Sequence, residues 1–71
     1  MSSADLLVAQ GTVVKQEKNN LYLVRVDAGV LALCVMTGKL HRNRIWLTVG
    51  DRVEVGLSMF DLTKGRITRR L

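Results

Sequence analysis

The sequence predicts an all-β fold in which five short strands form a small barrel. Runs rich in valine, leucine and threonine alternate with turn signals along the chain of 71 residues. Six glycines and no proline punctuate these runs. A chain of this length is expected to form one domain, residues 1–71. It buries only about 60% of its unfolded surface, so a compact β core must supply the stability.

The first two strands are predicted to meet at an asparagine turn. The first strand extends over about Leu6–Lys15, with Gly11 in its middle, where a bulge or sharp bend would suit a barrel. Asn19–Asn20 is the turn, and the second strand is Leu21–Val26. Alternate side chains of this second strand are apolar, which predicts one inward face.

Three further strands follow from the same signals. Gly29 supplies the positive φ of a tight hairpin, and a turn at Thr63–Gly65 leads into the fifth strand. Apolar residues alternate with charged ones in the fourth strand and fill both faces of the third. The predicted strands are Val30–Met36, Arg52–Leu57 and Arg66–Arg70.

The segment Gly38–Val49 is too long for a hairpin turn. Its residues Lys39–Asn43 are expected to form one short helical turn between strands three and four. The alternating apolar residues Ile45, Leu47 and Val49 are expected to hold the segment against the barrel. Five strands with this insert match the OB-fold, a partly open Greek-key barrel that often binds oligonucleotides.

The whole net charge of +5 lies in the second half of the chain. Residues 1–35 carry three basic and three acidic side chains, whereas residues 36–71 carry eight basic and three acidic ones. All of these eight except Arg52 fall into two clusters, Lys39–Arg44 and Lys64–Arg70. A barrel with one basic rim attracts polyphosphates, so the clusters predict contact with RNA.

The candidate RNA contacts lie in and beside the two basic clusters. The alternation of Ile45 and Leu47 turns Trp46 away from the core, either to stack on a nucleobase or to cap the barrel end. His41 either donates a hydrogen bond to RNA or is simply exposed. The candidates are Lys39, His41, Arg42, Asn43, Arg44, Trp46, Lys64, Arg66, Arg69 and Arg70.

Several classes of protein are excluded by what the sequence lacks. Cys34 is the only cysteine and lies in an apolar run, so we expect a buried thiol and no disulfide. No second histidine, cysteine or carboxylate lies at metal-ligand spacing from His41, so no metal or cofactor is expected. The sequence also contains no arrangement of residues that would predict an enzyme. The apolar run Val30–Met36 is too short to span a membrane, and no signal peptide precedes it. We expect a monomer in a reducing compartment, which is the cytoplasm or the interior of an organelle.

Six blocks of the sequence then point to a known family. They are Gln10–Val13, Thr37–Leu40, Asn43, Ile45, Gly50–Val53 and Asp61–Ile67. In these blocks, which need no gaps, the sequence resembles bacterial and plastid translation initiation factor 1. The resemblance implies an OB-fold protein that binds the decoding (A) site of the small ribosomal subunit. It implies contacts with ribosomal RNA and one small-subunit ribosomal protein, action with the other two initiation factors, and a location in the cytoplasm or plastid stroma.

The sequence departs from the family pattern at a few positions. The family usually has an aromatic residue at Arg44, a basic one at Trp46 and proline at Met59. An arginine or a tryptophan can each stack on a base, so the first two departures either keep the RNA-binding chemistry at altered positions or weaken it. The family also tends to have polar residues near Leu23, Leu31, Leu33 and Val35, whereas strand three here is apolar on both faces. This departure is open to three interpretations: a doubly buried strand, a partner surface, or an unusual or engineered member.

Two other functions remain open at this point. A general single-stranded RNA binder or chaperone of the cold-shock kind usually displays several aromatics on strands two and three. Here Tyr22 is the only one, on the inward parity, while Phe60 is expected to plug the barrel. A protein-interaction module would instead use the apolar third strand, with Leu31, Leu33 and Val35 as anchors.

Overall fold

The computed structural model describes residues 6–38 and 46–71, and it confirms the all-β fold class. Five strands form a closed barrel in the order β1-β2-β3-β5-β4. The predicted helical turn at Lys39–Asn43 lies outside the described residues. The strands are β1 (Leu6–Lys18), β2 (Leu21–Val26), β3 (Leu31–Met36), β4 (Arg52–Ser58) and β5 (Lys64–Arg70).

Strand β1 is long because it pairs with two neighbours. Its first half is antiparallel to β4 and its second half antiparallel to β2, and Gly11 has a partner in both strands. A Cβ at Gly11 would lie 2.6 Å from the carbonyl oxygen of Arg25, so only glycine allows the backbones to approach this closely. The register shifts of β1 lie further on, after Val13 and after Gln16, and not at the glycine itself.

Strand β5 closes the barrel between β3 and β4. It is parallel to β3 and antiparallel to β4, and its inward Ile67 is fully buried. The core is otherwise made of inward residues from the other strands and of Leu47 from the insert, and Tyr22 lies within it as predicted. The buried apolar residues are Val13, Tyr22, Val24, Val26, Ala32, Cys34, Leu47, Val53, Val55, Leu57 and Ile67.

Two expected core residues are exposed. Phe60, predicted to plug the barrel, is 87% exposed, because Leu57 and the other inward residues fill the interior and the β4–β5 turn holds Phe60 outside. Of the residues expected to hold the insert, Leu47 is buried but Val49 is exposed, and Ile45 lies outside the described residues. Val49 sits at the corner of a turn in which the amide of Asp51 donates to the carbonyl of Thr48.

The thiol of Cys34 is expected to be inert in the folded chain. Burial in the barrel raises its pKa to about 11, so almost no thiolate forms near neutral pH. An aromatic disulfide reagent added near pH 8 should therefore react far more slowly with the native chain than with the chain unfolded in urea. Equal rates in both states would contradict the burial of this side chain.

The β2–β3 turn is tied to β4 by an ion pair. Both terminal nitrogens of the Arg52 guanidinium lie 2.7 Å from the two carboxylate oxygens of Asp27. These hydrogen bonds lower the pKa of Asp27. Since the folded-state pKa is lowered, the pair contributes stability above the unfolded pKa of about 3.9, and this contribution is lost as the pH falls through the folded value.

An Arg52→Gln substitution tests this ion pair. Removing the guanidinium should raise the pKa of Asp27 toward its ordinary value in an NMR titration of the carboxyl carbon. The carboxyl of Asp61 serves as the internal control, because its pKa is lowered by hydrogen bonds from Thr63 and should not move. An unchanged Asp27 pKa in the variant would show that Arg52 is not its partner in solution.

Candidate nucleic-acid interface

Thr37, just before the insert, and Trp46, within it, both contact the C-terminal half of β5. On one side, the amide of Thr37 donates to the carbonyl of Ile67 over 3.4 Å. On the other side, the Arg70 guanidinium donates to the backbone carbonyl of Trp46 over 3.2 Å. The described residues on either side of residues 39–45 are thus both tied to β5. The predicted contacts within the insert (Lys39, His41, Arg42, Asn43 and Arg44) lie outside the described residues.

Trp46 points into solvent, as the sequence predicts. It is 76% exposed, whereas its neighbour Leu47 packs into the core. The burial of Leu47 explains the orientation, because successive side chains of an extended segment point to opposite sides. An exposed indole beside a guanidinium offers both a stacking surface and a phosphate ligand.

Arg70 keeps most of its hydrogen-bonding capacity. A guanidinium carries five N–H donors, and only one contact, to the Trp46 carbonyl, is formed by the described residues. The side chain is exposed at the last residue of β5. Arg70 can therefore hold Trp46 and still donate to a phosphate.

Arg69 is held by an ion pair on the barrel wall. Its guanidinium lies 3.2 Å from the carboxylate of Glu54, which also accepts a hydrogen bond from the Thr68 hydroxyl. Exposed pairs of this kind contribute only about 0–1 kcal/mol. Glu54 thus orients Arg69 at the end of β5. Because this ion pair is weak, a phosphate group can replace Glu54 as the partner of the Arg69 guanidinium.

Lys64 and Arg66 lie on a different part of the surface. They occupy the first half of β5, beside Leu33 and Val35 of β3. At the usual rise of a strand, Lys64 is about 20 Å from Arg70. The second basic cluster of the sequence is therefore divided by the fold into an end pair, Arg69 and Arg70, and a face pair, Lys64 and Arg66.

The β4–β5 turn presents apolar side chains that the sequence did not assign to the surface. Phe60 and Met59 are exposed, and hydrogen bonds from the amide and hydroxyl of Thr63 to the carboxylate of Asp61 fix the turn. These bonds lower the pKa of Asp61. The pattern Asp-x-Thr is a sequence signal for such a turn, although it does not say on which side of the turn Phe60 lies.

The described residues supply anion-binding and stacking groups. Within residues 6–38 and 46–71, no group of three or more histidine, cysteine, aspartate or glutamate side chains is placed to hold a metal ion. In the same part of the chain no helix is long and apolar enough to cross a membrane. What the arrangement offers chemically is charge-assisted hydrogen bonds from guanidinium groups and the face of one indole.

Comparisons with known proteins found a matching family and similar solved structures. The family model for translation initiation factor 1A / IF-1 matches residues 5–71. The solution structure of translation initiation factor 1 from the Wolbachia endosymbiont, strain TRS, of Brugia malayi is similar, with 35% identity and a TM-score of 0.77. The similarity covers 99% of this chain and 83% of that one.

A second similar structure belongs to a longer protein. The crystal structure of YjeQ from Thermotoga maritima matches with 33% identity and a TM-score of 0.73. The match covers 92% of this chain but only 23% of that one. The barrel described here thus corresponds to a small part of that protein.

Proposed function

We propose that this chain, which belongs to the translation initiation factor 1A / IF-1 family, binds the small ribosomal subunit at the decoding (A) site through ribosomal RNA. In this role it contacts one small-subunit ribosomal protein and acts with the other two initiation factors. It works where ribosomes initiate, in the cytoplasm or in a plastid stroma. The observation that carries the proposal is the C-terminal half of β5, where Arg70 is bonded to the exposed Trp46 of the basic insert and Ile67 is bonded to Thr37 at the start of that insert.

The RNA contacts proposed here fall into three groups. The insert supplies most of the positive charge, the barrel end adds a stacking surface and two guanidinium groups, and the face pair extends the charge along β5. Guanidinium groups suit this task because they bind phosphate oxygens in a two-pronged geometry. The groups are Lys39, His41, Arg42, Asn43 and Arg44, then Trp46, Arg69 and Arg70, then Lys64 and Arg66.

The burial of Tyr22 disfavours a general single-strand binder. RNA-binding barrels of the cold-shock kind stack bases on exposed aromatics, but Tyr22 is 2% exposed and the outward residues of β2 and β3 are aliphatic or basic. A folded RNA site recognised by shape and phosphate position fits this surface better.

Single alanine substitutions test the proposed RNA surface. Lys39→Ala, Arg42→Ala and Arg66→Ala should each weaken binding to purified small subunits without unfolding the barrel, because each removes a phosphate ligand. Affinity falls as salt rises, and the steepness of log affinity against log salt should decrease by about 0.7–0.9 for each phosphate contact removed. Arg25→Ala is the control, since this exposed arginine of β2 is not among the proposed contacts.

Both the affinities and the salt slopes of these variants bear on the assignment. A steep salt dependence that becomes shallower in the three variants, with the Arg25→Ala slope unchanged, supports it. Wild-type affinity in all three variants, or a flat salt curve for the parent chain, would contradict it. Circular dichroism of each variant shows whether the barrel remains folded.

A further inference from the structure

The outer face of β2 and β3 carries an exposed aliphatic strip. Leu31, Leu33 and Val35 of β3 are 51%, 40% and 48% exposed. Across the ladder, Leu23 lies opposite Leu33 and Leu21 lies opposite Val35, so the strip is two strands wide. None of these side chains is needed in the core, because the inward positions between them already fill it.

Basic side chains border this aliphatic strip on both sides. On the β1 side, Lys15 and Lys18 are the partners of Leu23 and Leu21. On the β5 side, Lys64 and Arg66 are the partners of Leu33 and Val35. Arg25, opposite Leu31, adds a fifth positive charge at the end nearest the β2–β3 turn. Glu17, 3.6 Å from Lys15, is the one acidic side chain in an ion pair with these five within the described part of the chain.

The dimensions of the strip match an α-helix. Three strand spacings separate β1 from β5 across β2 and β3, which is about 14 Å along the sheet. A helix with its side chains is about 10–12 Å wide. The six residues of β3 extend over about 20 Å, the length of roughly four helical turns. A helix lying on the strip would place its own borders against the two basic rows.

We propose that this strip, defined by Leu21, Leu23, Leu31, Leu33 and Val35, docks an amphipathic helix of a partner protein. The apolar stripe of that helix packs on the strip, and acidic residues on both its borders pair with the basic rows. Charge complementarity defines the partner, because a helix with basic borders would be repelled from both sides. This surface is additional to the proposed RNA contacts, with Lys64 and Arg66 at the boundary between the two.

Other occupants fit the strip less well. A second copy of this chain would bring the basic rows of both protomers together. RNA would find no aromatic side chain on the strip, and the backbone polar groups beneath it are engaged in the strand ladders. A lipid surface requires side chains that reach about 5–10 Å into the headgroup layer, whereas these residues are half-buried in the sheet.

NMR titration of the full chain tests the proposal. The probe is a designed helical peptide of about 18 residues with a leucine stripe bordered by glutamates, and its matched control has lysines in place of the glutamates. Only the glutamate peptide should shift amide signals, and the shifts should concentrate in β2 and β3. Leu33→Glu should weaken that binding at least about tenfold.

Val8→Glu is the matched control variant. Val8 is also an exposed aliphatic strand residue, but it lies on the half of β1 that pairs with β4, away from the strip. It should bind the glutamate peptide like the parent chain. Because Lys64 and Arg66 also belong to the proposed RNA surface, neither is changed in this experiment. A failure here therefore leaves the ribosomal proposal separately testable.

Several results would overturn the helix-docking proposal. Equal binding of the two peptides would show that charge complementarity does not select the partner. Equal losses of peptide affinity in Leu33→Glu and Val8→Glu would show that the strip is not the binding site. Shifts of the strip signals by a uridine-rich oligonucleotide or by phosphatidylglycerol vesicles, with none by the glutamate peptide, would assign the face to RNA or to lipid. Dimers in analytical ultracentrifugation that Leu33→Glu dissociates would assign it to a second copy.

Discussion

Replacing Arg70 by alanine is expected to weaken binding to small ribosomal subunits about ten- to a hundredfold. A hydrogen bond to a charged group contributes about 1.5–3 kcal/mol, and about 1.4 kcal/mol corresponds to a factor of ten. Arg70 also holds the backbone of Trp46, so its loss removes a phosphate ligand and loosens the neighbouring stacking residue. Titration of fluorescently labelled chain with purified subunits measures the effect.

The Arg25→Ala variant provides the comparison for Arg70→Ala. Both substitutions remove one exposed arginine from a strand, and so they change the net charge equally. Only Arg70→Ala should lose affinity. Since both side chains are exposed, both variants should unfold within about 0.5 kcal/mol of the parent chain. An equal loss of affinity in the two variants would show that general charge attraction, not the barrel end, governs binding.

Replacing Ile67 by alanine is expected to lower the free energy of unfolding by about 2–5 kcal/mol. The side chain is fully buried on the strand that closes the barrel between β3 and β4, so its removal leaves a cavity lined by both neighbours. A domain of 71 residues has little stability in reserve, and much of the variant is expected to be unfolded near physiological temperature. Urea unfolding followed by circular dichroism measures the loss.

Val8→Ala is the control for this cavity. Val8 is an aliphatic strand residue with 68% exposure, so its truncation should change the free energy of unfolding by no more than about 0.5 kcal/mol. A similar loss in both variants would show that the effect comes from strand propensity rather than from the core. A negligible loss in Ile67→Ala would contradict the closed barrel itself.

The strands were predictable because the alternation of apolar and polar residues that marks a strand is visible within a few consecutive residues. Alternation of apolar residues and the glycine and asparagine turns placed β2 at its observed bounds and the inward face of β4 at Val53, Val55 and Leu57. Ladder pairing extended β1 to Lys18 and β5 back to Lys64, beyond what local patterns indicate. Gly29 adopts the positive φ expected of its hairpin, with a value of 102°.

The arrangement of the site was only partly predictable, because it depends on how the strands pair. Lys64 and Arg70 belong to one cluster in the sequence, but the parallel pairing of β3 with β5 places Lys64 beside Leu33 while Arg70 reaches Trp46. The ion pair between Arg69 and Glu54 likewise depends on the register of β4 and β5. Neither the position of Lys64 relative to Arg70 nor the Arg69–Glu54 ion pair can be inferred from a repeating pattern of residues along the chain.

Phe60 shows a second limit of sequence reasoning. An aromatic residue next to a turn is apolar enough to plug a barrel, and its hydropathy alone does not say on which side of the turn it lies. The hydrogen bond from its amide to the Ser58 hydroxyl, over 3.2 Å, and the Asp61 turn fix the backbone so that the ring points into solvent. Local hydrogen bonding, not hydropathy, thus decided the position.

Co-sedimentation with isolated small ribosomal subunits tests the central claim most directly. The full chain is mixed with subunits at low and moderate salt, with excess bulk RNA as competitor. The proposed function predicts saturable binding near one copy per subunit that survives the competitor and weakens as salt rises. Binding that bulk RNA removes, or no binding at either salt, would contradict a site on the small subunit for this barrel.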